Sequence, residues 1–119
     1  MSRTRVLILA VVLVLFAAAG GVLIAFSGHG GGQNLTFNVT VTGATKMSPS
    51  TLSAHQNDTV TIDMTSDTTG EVHLHGYDIA FDTKAGQVVT HTFKANTTCT
   101  CDIEWESTST PLGALVVSP

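Results

Sequence analysis

The chain has 119 residues, a formal net charge of −4 and only 12% charged side chains. A chain of this length has room for one small domain once a membrane-type segment is set aside. An acidic chain poor in Lys and Arg lacks the electrostatic footprint of a nucleic-acid binder. Abundant Thr and few aromatic residues favour strands over helices beyond the N-terminus.

Arg3 and Arg5 form a short basic region over residues 1–5. Residues 6–26 follow without a charged or strongly polar side chain. As a helix this run spans about 30 Å, the thickness of a bilayer core. Arginines before it and none soon after predict a single-pass anchor, with the N-terminus inside and the remainder extracytoplasmic. A cleaved signal peptide, giving a secreted domain, is the rival reading. The uncleaved anchor is preferred because cleavage after Ala19 would leave an apolar stub. Residues 27–33, rich in glycine and containing His29, read as a flexible linker.

From Asn34 the pattern becomes alternating. Leu35, Phe37, Val39 and Val41 are apolar between Asn and Thr residues, the period of a half-buried strand. Residues 46–50 read as a break, 51–54 as a short strand, and 56–58 as a turn. Residues 59–64 alternate with Val60, Ile62 and Met64 inward. A polar loop follows, then one strand over 71–79 and a loop over 81–86. The strand at 87–95 carries Val89, His91 and Phe93 on one face. In the strand at 99–106, Cys99, Cys101, Ile103 and Trp105 share one face and Asp102, Glu104 and Glu106 the other. Residues 112–117 close the domain. About seven strands at this spacing predict an all-β antiparallel Greek-key sandwich over 34–119. Asn-x-Thr sequons occur at Asn34, Asn38, Asn57 and Asn96, and their use depends on the host.

Two features carry potential chemistry. His73 and His75 are one residue apart, so on a strand both imidazoles point to one face about 6.6 Å apart, and a transition metal can be gripped by such a pair. The bland alternative is two packed or hydrogen-bonded strand histidines. Cys99 and Cys101 cannot staple distant segments, and a bridge between them would close a very small ring. A thiol pair, a soft-metal ligand pair and two small buried apolar residues are all readings of this motif. No nucleophile–base arrangement or convergent acid pair points to an enzyme.

Several motifs, in order and spacing, resemble the cupredoxin superfamily over residues 34–119. Met47-Ser48-Pro49 before Thr51-Leu52-Ser53-Ala54 resembles its Pro-containing entry into the second strand. Gln56-Asn57-Asp58-Thr59-Val60 resembles its Gly-Asp-x-Val turn. The stretch 95–104 resembles the approach to its ligand loop, and Leu112-Gly113-Ala114-Leu115-Val116-Val117 its closing strand. His73-Leu74-His75-Gly76-Tyr77-Asp78 resembles a branch of small secreted or anchored cupredoxin-like domains. The resemblance places His73 on a copper-ligand position. A blue-copper centre also needs Cys, His and usually Met in the loop before the last strand, and residues 105–112 contain none of these.

The expectation is therefore a membrane-anchored, cupredoxin-like domain that is not a blue-copper electron carrier. In it His73 and His75 hold copper, or less favourably zinc. Cys99, Cys101, Glu106 and Met47 are further candidate ligands, with Cys101 on an inward face shared with the histidines. The expected partner is a copper donor or acceptor, or a redox protein. The alternative is a metal-free sandwich serving as a binding or structural module at the membrane.

Overall fold

The computed structural model describes residues 31–119. The anchor expected at residues 6–26 lies outside them. Among the described residues no helix is long and apolar enough to cross a membrane.

Alternation of apolar and polar residues becomes two sheets packed through their apolar faces. The first holds β1 (Asn34–Thr42), β2 (Lys46–Ser48), β4 (Thr59–Ser66) and β7 (Val88–Lys94), in the order β2-β1-β4-β7. The second holds β3 (Thr51–His55), β5 (Gly70–Leu74), β6 (Ile79–Thr83), β8 (Cys99–Trp105) and β9 (Thr110–Ser118), in the order β3-β9-β8-β5-β6. The chain crosses from the first sheet to the second at the cis Ser48–Pro49 peptide.

Register brings like parity together. In β4, Val60, Ile62 and Met64 lie opposite Leu35, Phe37 and Val39 of β1, and opposite Phe93, His91 and Val89 of β7. From the second sheet Leu52, Val72, Leu74, Phe81, Ile103, Trp105 and Leu115 face inward and are buried. Each such aliphatic or aromatic side chain contributes about 1.5–3 kcal/mol on burial, and one continuous core joins the two sheets. His91 packs edge-on against Phe81, with ring centroids 4.8 Å apart, the packed strand histidine its parity predicts.

Three expectations are corrected. There are nine strands among the described residues rather than about seven, because Lys46–Ser48, read as a break, pairs with β1, and one expected strand is two. The single strand expected over 71–79 ends at Leu74, turns through Gly76 (φ 85°) and Asp78 (φ 55°), and returns as β6 where a loop was expected. Glycine adopts positive φ at no steric cost and Asp tolerates it, so this pair reverses the strand. Two pairings, β1 with β4 and β3 with β9, are parallel rather than antiparallel, a distinction period-two patterning does not encode. β1 begins at Asn34, and the two residues before it are already bonded to the sandwich. Gly32 donates to the Asn57 carbonyl, and the Gln33 carbonyl accepts from Thr59 N–H.

A candidate metal centre on the outer face of the second sheet

β5 alternates as its sequence dictates. Val72 and Leu74 enter the core, so Glu71 and His73 emerge on the opposite, outer face. His75, just past the strand, stays on that side, its N–H bonded to the Asp102 carbonyl at 2.9 Å. The ring centroids of His73 and His75 are 4.5 Å apart. The neighbouring strand β8 is antiparallel, pairs His73 with Glu104, and puts its even-numbered acids on the same face. Glu106 follows in a single 3-10 turn, Glu106–Thr108, that leads directly into β9.

The result is two imidazoles ringed by carboxylates. His73 Nδ1 lies 3.4 Å from Glu71 Oε2 and 3.7 Å from Glu106 Oε1, while its Nε2 lies 3.2 Å from Asp78 Oδ1. His75 Nε2 is 3.0 Å from Glu104 Oε2. The His73 side chain is 18% exposed and that of His75 46%, so the pair is reachable from solvent without being loose.

Two ligand triads follow: Glu71, His73 and Glu106, and His75, Glu104 and Glu106. In each, one donor atom per residue lies within 4.8 Å of the others. Ligand atoms on one Zn(II) or Cu(II) ion, each about 2.0–2.2 Å from it, lie at most about 4 Å apart. Side-chain rotation of a fraction of an ångström to an ångström closes that difference. The residues present therefore fit a nitrogen- and oxygen-ligated divalent ion. Glu106, common to both triads, is the hinge of the arrangement.

The sequence-predicted ligands separate into two groups. His73, His75 and Glu106 come together. Cys99, Cys101 and Met47 do not join them. Cys101 was expected to share an inward face with the histidines, but it is buried in the core at 4% exposure while His73 points out. Cys99 and Cys101 form a disulfide, leaving no free thiol. Met47 is buried at 6% against Gly113 of β9. The cause is parity: the cysteines and Trp105 occupy the odd positions of β8, whereas the acids that meet the histidines occupy the even ones. Sequence reading missed Glu71 and Glu104 as candidate ligands. Glu71 has the parity of His73 and His75 and was legible from spacing; Glu104 required the β5–β8 register.

No family model and no curated relative matches the chain. Among solved structures, a heme-copper terminal oxidase dimer determined by cryo-EM aligns with a TM-score of 0.58 at 12% identity, over 80% of this chain and 76% of that one. A multicopper oxidase, mgLAC, aligns with a TM-score of 0.53 at 17% identity over 72% of this chain. The blue copper oxidase of Nitrosomonas europaea aligns at 0.51 and 16% over 73%. This chain spans 39% of each of the latter two. At these identities the likeness is one of architecture, and the architecture is that of a cupredoxin-like β-sandwich.

Proposed function

We propose that the domain binds Cu(II) on the outer face of its second sheet, through His73 and His75 with carboxylate ligands from Glu71, Glu104 and Glu106, and that it handles the ion rather than carrying electrons at a blue-copper centre. The observation that carries this reading is the convergence of two His–carboxylate triads on one shared residue, Glu106. Imidazole with carboxylate suits Cu(II), with Zn(II) as a competitor; of the groups that would favour Cu(I), the cysteines are joined in a disulfide and the Met47 thioether is buried in the core. The copper proteins among the structural likenesses give the reading a setting. In the same proposal, residues 6–26 anchor the domain to a membrane with the sandwich outside, where a copper donor or acceptor is the partner.

The test is titration of the purified chain with Cu(II), Zn(II) and Cu(I), repeated for His73→Ala and His75→Ala. The expected result is stoichiometric Cu(II) binding with the electron paramagnetic resonance signature of nitrogen and oxygen ligands, weakened about tenfold or more by each substitution, or about 1.4 kcal/mol and upward. Binding that neither substitution alters would overturn the site and leave the metal-free module, whose His–carboxylate pairs satisfy one another. An intense blue absorption would overturn the rejection of a blue centre.

A further inference from the structure

The Cys99–Cys101 disulfide plays no part in the metal site and does little for the fold. β8 is already laddered to β9 along its length, with Cys99 opposite Val117 and Cys101 opposite Leu115, and to β5 at residues 103–105. A bridge between residues two apart connects no separate segments. The stabilisation a cross-link gives by restricting the unfolded chain is least for the shortest loops. The bridge instead draws the two Cα atoms to 5.4 Å, where an extended strand sets about 6.6 Å.

Its surroundings treat the two sulfurs differently. Cys101 is buried at 4% exposure. Gly76, at φ 85°, passes so close that any side chain there would overlap Cys101 Sγ. Cys99 stands half-buried at the mouth of the strand, beside the turn at residues 96–98. That turn is tied to the β5–β6 turn through the Tyr77 hydroxyl, which donates to the Thr97 carbonyl and accepts from the Thr97 N–H. Cys99 is thus the more exposed residue of the pair, packed against the rim of the core, while Cys101 is enclosed by Gly76 and the core.

We propose that Cys99 and Cys101 form a reversible thiol–disulfide exchange site that takes an external dithiol as its substrate, with Cys99 as the attacked sulfur. A thiolate of the dithiol attacks Cys99 Sγ. The Cys99–Cys101 bond breaks, and its electron pair leaves on Cys101 Sγ, which takes up a proton. The second thiol of the substrate, as its thiolate, attacks the substrate sulfur of the mixed disulfide and releases Cys99 as a thiolate. The substrate is oxidised to a disulfide by two electrons and the chain is reduced to a dithiol; the reverse sequence reoxidises it. This site is independent of the metal reading, since the histidines lie on the opposite face of the sheet.

The test uses the full chain equilibrated with graded ratios of reduced and oxidised dithiothreitol. Thiols are counted by alkylation and mass spectrometry, and folding is followed by circular dichroism and Trp105 fluorescence. The expected result is complete, reversible reduction with the sandwich still folded. Reduction only under conditions that unfold the sandwich, or reduction that itself unfolds it, would overturn the proposal. In a second arm, Cys101→Ser and Cys99→Ser are reacted with oxidised glutathione. The remaining Cys99 should form its mixed disulfide at least tenfold faster than the remaining Cys101, and equal or reversed rates would overturn the assignment of the attacked sulfur. Zn(II) affinity should match the parent in both variants; the native-chain arm decides the exchange itself even where a variant fails to fold, and mass-spectrometric mapping of the mixed disulfide trapped in the native chain with monothiol glutathione must then place it on Cys99, a Cys101 adduct overturning the assignment.

Discussion

At the scale of single residues, the shared position of Glu106 has a measurable consequence. Glu71 belongs to one ligand triad and Glu106 to both. Glu106→Gln should therefore weaken Cu(II) binding at least as much as Glu71→Gln, by about tenfold or about 1.4 kcal/mol, as read by competition titration; a silent Glu106→Gln would remove it from the site. A second residue gives a pH signature. The Gly43 N–H, 2.9 Å from Asp67 Oδ1, and the Thr68 hydroxyl at 2.8 Å hold the Asp67 carboxyl below the ordinary carboxylate value. A depressed folded-state pKa stabilises above the unfolded pKa, and the gain is lost as pH falls through the folded value. Urea midpoints measured down through the acid range should fall more steeply for the parent than for Asp67→Asn, by a small amount because Asp67 is exposed. The histidine pair was legible as a spacing, since strand geometry alone aims residues 73 and 75 to one side. Which side was not legible, and that choice separated the cysteines and Met47 from the site.

At the scale of elements, the position of β5 depends on how its entry is fastened. Thr83 of β6 is buried at 3% exposure. Its hydroxyl accepts from Gly70 N–H at 3.1 Å and lies 2.9 Å from the Thr68 carbonyl and 2.8 Å from that of Gly70. Ser66, 1% exposed, donates to the same Thr68 carbonyl at 2.7 Å. Gly70 also leaves space for the Trp105 ring, which a side chain there would strike. Thr83→Val keeps the shape but strands buried polar groups, so it should cost about 1–3 kcal/mol, read as a lower urea midpoint at unchanged slope. Because β5 carries His73, the same variant should also loosen metal binding. The alternating pattern made most strands legible, including β1, β4, β7 and β8. Two were missed for specific reasons. β2 is three residues long, too short for a period to register. The β5–β6 reversal rests on the backbone freedom of Gly76 within a stretch whose apolar alternation reads straight through it.

At the scale of the whole molecule, an ion bound only by the folded sandwich must stabilise it. At a free concentration a hundred times its dissociation constant, the gain is about 2.7 kcal/mol. Cu(II) or Zn(II) should therefore raise the thermal midpoint of the parent and leave that of the His73→Ala, His75→Ala double variant unmoved; an equal rise in both would place the ion elsewhere. The sandwich itself was legible from strand spacing and motif order, but the pairing of β3 with β9 was not, since nothing local links Thr51 to Ala114. That pairing also governs the order of assembly. β3 has one neighbour in its sheet, β9, and β9 lies inside the sheet between β3 and β8. An early strand thus waits, unladdered, for the last described strand to arrive, while the β5–β6 hairpin can close locally at any time. Chains dominated by such distant pairings fold on the millisecond-to-second scale. Until β9 inserts, β8 presents one open edge and β3 two, and the arrival of β9 closes one on each, leaving β3 as the edge of the finished sheet.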